Sequence, residues 1–147
     1  MKRLVPILVA LLLLQACDGA PAPAPASPPA TVRLPAVPDH PAAGYFQLRI
    51  DGDRGALIGV TSAQSGRIEM HETMNMANMT AMRPLARIPV HDGDTLSFAP
   101  GGRHLMIYDL STAVAAGQRI DLVLHFERGD PVTLGATLVP AGADVGT

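Results

Sequence analysis

Arg119-Ile120-Asp121-Leu122-Val123-Leu124-His125-Phe126 is the stretch whose reading decides the fold. Ile120, Leu122, Leu124 and Phe126 recur at every second position, the period of a strand with one buried face. Val132, Leu134, Ala136 and Leu138 repeat the pattern after a short break. Working back along the chain, Leu96 and Phe98, Arg103 to Tyr108, Ile88 to Val90, Ala81 to Leu85, Arg67 to Glu72, Ala56 to Val60, and Phe46, Leu48 and Ile50 read as further short strands. Turn residues part them: Asp51-Gly52-Asp53-Arg54-Gly55, Ser65-Gly66, His91-Asp92-Gly93-Asp94 and Ala99-Pro100-Gly101-Gly102. Short strands at this spacing predict one all-β domain over residues 45–140, a Greek-key β-sandwich or barrel, with 141–147 as a C-terminal tail. Thr73 to Thr80 reads as a loop, and Thr112 to Ala116 offers a single turn of helix.

The region before Tyr45 has a different character. Lys2 and Arg3 precede an apolar run from Leu4 to Leu14, too short to span a bilayer as a permanent helix and matching an export signal. The run ends at Leu14-Gln15-Ala16-Cys17, and Cys17 is the single cysteine of the chain. That arrangement predicts a lipoprotein signal over residues 1–16 and a lipidated Cys17, held firmly where more than one acyl chain is attached. Asp18 favours retention at the inner membrane, and the address is the periplasm. Residues 17–44, rich in Ala and Pro, read as a semi-rigid tether; at about 3.1 Å per residue, two dozen residues reach roughly 70 Å. With Cys17 acylated, no disulfide is available and the core alone must hold the fold.

Net charge is −2, Trp is absent, and aromatic residues make up 3% of the chain. Neither a basic patch nor a stacking platform is present, which argues against nucleic acid as a partner. Enzymatic chemistry is also disfavoured: the sequence offers no nucleophile with a paired base, no phosphate-cradling glycine loop and no carboxylate pair in a plausible cleft.

Within the β-domain, His71 is followed after ten residues by Met82, after twenty-one more by His104, and after one more by Met106. Two imidazoles and two thioethers form a neutral, soft donor set that suits Cu(I) and competes poorly for Zn(II), Mg(II) or Ca(II). Strand parity supports a site. If Leu105 and Ile107 point inward, His104 and Met106 share the other face, and Met70 inward puts His71 outward.

This His-x10-Met-x21-His-x-Met pattern resembles the copper-binding motif of the periplasmic PCu(A)C copper chaperones. The flanks are similar too: Glu69-Met70-His71-Glu72-Thr73, Met82-Arg83-Pro84 and Pro100-Gly101-Gly102-Arg103-His104-Leu105-Met106. The likeness runs from Tyr45 to Pro140. It implies a cupredoxin-like fold, one Cu(I) per domain held by His71, Met82, His104 and Met106, and delivery to the binuclear copper site of cytochrome c oxidase. The partners it implies are the oxidase's copper-binding subunit and a thiol-reducing copper assembly protein. Ile107-Tyr108-Asp109-Leu110 departs from the family's text, and a Met- and His-rich tail is lacking, which bears on a second, Cu(II) site rather than on the four residues.

Other readings compete. A copper-storage or tolerance lipoprotein would use the same ligands. A blue-copper electron carrier needs a cysteine thiolate with two histidines, and the mature domain has none. Met70 is expected in the core, while Met74, Met76 and Met79 are either auxiliary thioethers or loop residues covering the rim. Glu72, next to His71, is a candidate acceptor for its ring, or else a solvated charge at a strand end.

Overall fold

The structure, a computed structural model, describes residues 30–76 and 79–145. Cys17, the signal segment and the first part of the tether lie outside the described residues. Ten strands follow in chain order: β1 (Ala30–Arg33), β2 (Ala42–Arg49), β3 (Ala56–Thr61), β4 (Arg67–Met76), β5 (Met79–Pro84), β6 (Ile88–Pro89), β7 (Thr95–Phe98), β8 (Arg103–Tyr108), β9 (Arg119–Phe126) and β10 (Val132–Val139). Among the described residues there is no helix. Thr112 to Ala116 falls in two tight turns, closed by Val114 N–H to the Ser111 carbonyl at 3.2 Å and Gln118 N–H to the Ala115 carbonyl at 3.1 Å.

The strands join in one sheet, ordered β5-β4-β8-β2-β1-β10-β9-β3-β6, with β7 added on β2. Strand β2 makes the sheet fold over. Its first residues lie between β8 and β1, and Phe46 to Arg49 pair with β7. Phe46 and Phe98, Cα partners in that pairing, stack with centroids 4.5 Å apart. The inward rows of β1, β2, β7, β8, β9 and β10 meet in a single apolar cluster. Leu105, Ile107, Leu122, Leu124, Ala136 and Leu138 are fully enclosed in it. Each such Leu or Ile contributes about 1.5–3 kcal/mol by burial.

Three expectations are corrected. The tether does not extend to residue 44: Ala30-Thr31-Val32-Arg33 is a strand, antiparallel to β2 and parallel to β10. Ala30 and Val32 are buried while Thr31 and Arg33 face outward. Four residues without proline suffice for that alternation, and the surrounding prolines hid it. The fold therefore begins at or before Ala30. At the other end Val145, read as tail, is buried. Thr73 to Thr80 is likewise no simple loop. Strand β4 continues to Met76 and pairs with β5 as far as Met76 opposite Met79. Backbone hydrogen bonds hold this hairpin; its side chains are largely exposed, so no apolar alternation announced it.

Candidate metal centre

Register places the four candidate residues on one face. In the β4–β8 pair, His71 is the Cα partner of His104, and Glu69 of Met106. In the β4–β5 pair, Thr73 is the partner of Met82. Directly opposed residues project to the same side, as do residues two apart on a strand. Glu69, His71 and Thr73 of β4, His104 and Met106 of β8, and Met82 of β5 therefore share one face. Leu105, Ile107 and Met70 occupy the other and are buried. The parity argument holds strand by strand.

The two imidazoles are neighbours, with ring centroids 6.0 Å apart. Met82, His104 and Met106 line a pocket of about 320 Å³ together with Thr73, Arg33 and Tyr45. His71 lies behind this pocket, its side chain only 13% exposed, whereas Met82 at the mouth is 58% exposed. Arg33 Nη2 donates to the Tyr45 hydroxyl at 2.9 Å, so β1 supplies one wall. The missed strand is thus part of the site.

Local structure orients each ring. Gly101 takes φ +79°, a conformation that glycine adopts without a Cβ clash, and the turn closes through Gly102 N–H to the Ala99 carbonyl at 3.0 Å. The Gly102 carbonyl then accepts from Thr73 N–H at 3.1 Å and from His104 Nδ1 at 3.2 Å. With Nδ1 donating there, Nε2 of His104 carries the free lone pair. On His71, Nε2 donates to Glu69 Oε2 at 3.0 Å. Its Nδ1 is buried and has no hydrogen-bond partner among the described residues. A buried nitrogen lone pair left unmatched costs free energy unless some ligand meets it.

The partner of His71 is Glu69, where sequence reading had offered Glu72. Glu72 lies on the opposite face and engages Arg83 at 2.8 Å and Arg103 at 3.8 Å. Period-two parity, applied to Glu69 and His71, would have found it. The His71 hydrogen bond is the main reason the Glu69 carboxyl is held below its usual range. The Tyr108 hydroxyl is the second unforeseen member. It approaches Met106 Sδ at 3.8 Å, and burial pushes its pKa up, with the Glu69 charge adding to the effect. Among the described residues, no three His, Cys, Asp or Glu side chains come together to hold a metal.

Residues 25–138 match the family model described as "Putative lipoprotein LpqE-like". A lipoprotein of Leifsonia xyli subsp. xyli, "Putative lipoprotein Lxx21020", is 36% identical over 76 residues, covering 50% of this chain and 45% of that protein. The chain thus matches less than half the length of that relative. The "Copper-bound PCuAC domain from PmoF2" superposes with TM-score 0.59 at 26% identity, covering 76% of this chain and 88% of the other. The solution structure of "CuI-DR1885" from Deinococcus radiodurans gives TM-score 0.54 at 25% identity, covering 76% of this chain and 75% of the other. The all-β, cupredoxin-like expectation is met.

Proposed function

The chain belongs to the LpqE-like family of PCuAC copper-chaperone domains, and from that premise we propose that it carries one Cu(I) ion on His71, Met82, His104 and Met106. The observation that carries this reading is the register: His71 opposite His104, Met106 two residues along, and Met82 opposite Thr73, all on one face. His71 and His104 each hold one ring nitrogen in a hydrogen bond and leave the other for the metal. All four donors are neutral, so a monovalent ion adds a single charge beside the Glu69 carboxylate. The exposed Met82 gives a client access to the ion, and ligand exchange can then start at the mouth while the histidines still hold.

The client we propose is the binuclear copper site of cytochrome c oxidase, with a thiol-reducing assembly protein keeping that site receptive. The lipoprotein name of the Leifsonia relative supports our reading of a lipidated Cys17 that anchors the domain to a membrane outside the cytoplasm. We assign it to the periplasm and, from Asp18, to the inner membrane.

Anaerobic Cu(I) titration of the full chain bearing Cys17→Ser, against a coloured Cu(I) chelator, tests the site. One tight ion, weakened in both Met82→Leu and His104→Ala, is the expected result; unchanged binding in both would overturn the ligand assignment. Delivery is tested by a deletion strain. Low oxidase activity rescued by added copper is expected, while copper sensitivity with normal oxidase activity would make the protein a storage or tolerance module instead.

A further inference from the structure

The far face of the β4–β5 hairpin carries a second group of sulfurs. Met76 and Met79 are Cα partners, and Met74 stands two residues from Met76 on the same strand. Strand parity puts these three together and opposite to the face of His71 and Met82. Opposed Cβ atoms lie about 4.5–5.5 Å apart and diagonal neighbours about 7–8 Å. Methionine has three rotatable bonds, so three sulfurs can converge within such a triangle.

Core packing does not account for this row. Met76 is 55% and Met79 68% exposed. Met74 is half-buried, yet it is not among the partly buried residues packed against the core. Glu72, Arg83 and Arg103 occupy the same face between the row and the buried Met70, and their ion pairs separate the row from the apolar interior. Glu72 is the nearest carboxylate along the strand, and it is held by Arg83.

We propose that Met74, Met76 and Met79 form a second, weaker Cu(I) site on the back of the hairpin. Three neutral thioethers without an imidazole select a soft monovalent ion over Zn(II) or Cu(II). The donor chemistry stands alone; the site's use as a holding point for cargo rests on the chaperone reading above. Movement between the two sites is ligand exchange, with copper remaining Cu(I) throughout and no electron transferred.

The test uses the full chain with Cys17→Ser, labelled with 13C-methyl methionine and titrated anaerobically with Cu(I). The first equivalent is expected to shift the Met82 and Met106 methyls, and a second those of Met74, Met76 and Met79. Stoichiometry against a chelator should fall from two to one when the three are replaced by Leu, a volume-conserving change. Row methyls that stay unmoved beyond the first equivalent, or that move together with Met82 and Met106 in it, would overturn a separate site, as would two equivalents retained in the triple variant. Failure of the four-residue reading looks different: the row titrates while the Met82 and Met106 methyls stay still.

Discussion

The hairpins β4–β5 and β9–β10 are both long antiparallel pairs, and they use their side chains in opposite ways. In β9–β10 one row is sealed: Ile120, Leu122, Leu124, Ala136 and Leu138 are all buried. In β4–β5 almost nothing beyond Met70 is enclosed, and β5 has no buried residue at all. Apolar burial holds the first hairpin. Backbone pairing and the Glu72–Arg83 contact hold the outer half of the second. A strand pair relieved of core packing is free to present a thioether, that of Met82, to solvent. Strand β8 joins the two regimes, since Leu105 and Ile107 face the core while His104 and Met106 line the pocket.

The comparison breaks most visibly through its sealed half. Leu122→Ala should cost about 2–5 kcal/mol of unfolding free energy, because it leaves a cavity in a packed row. Met79→Ala on the open hairpin should stay within about 0.5 kcal/mol. Chemical denaturation of both variants without copper measures the contrast, and equal losses would show that the β4–β5 hairpin is packed after all.

His104→Ala should reverse the ranking. Copper affinity should fall by more than the effect of any supporting residue, while the denaturation midpoint moves little, because the ring is not part of the core. Glu69→Gln should weaken Cu(I) about 10–100-fold by releasing His71, as loss of a hydrogen bond to a metal-bound histidine does. Glu72→Gln, on the opposite face, should leave affinity unchanged. Competition titration with a Cu(I) chelator separates the two, and a larger loss in the Glu72 variant would return the orienting role to that residue.

The smallest effect is acid sensitivity. Asp53 is lowered chiefly by its Arg128 hydrogen bond, Asp94 by the His91 backbone N–H, and Glu69 by His71. Their folded pKa values lie below the unfolded ones. The stability they contribute is therefore fully present above the ordinary carboxylate range of about 4 and is lost as pH falls through the lowered values. Asp53 and Asp94 are exposed and Glu69 is half-buried, so the decline should be shallow. Asp94→Asn should flatten part of it at the turn end of the molecule, and a pH series of apo-protein melting curves reads the difference.

Sequence reading located every strand but β1, most of them closely, because a half-buried strand prints its period on the chain, as at Ile120 to Phe126 and Leu105 to Ile107. Strand β1 escaped because four residues amid prolines carry too little pattern. The extension of β4 and β5 escaped because an exposed hairpin leaves no apolar trace. Glu69 was legible through its parity with His71; Glu72 drew attention only by adjacency.

By itself the sequence determined the all-β class, the inward rows, the four soft donors and the faces of His71, His104 and Met106, because these follow from residue chemistry and the two-residue period of a strand. Only the tertiary structure decided that His71 stands opposite His104, that Glu69 holds His71, that Arg33 and Tyr45 wall the pocket, and that three further methionines share the back of the hairpin. Register between strands distant in sequence depends on how the whole sheet packs, and no local pattern encodes it.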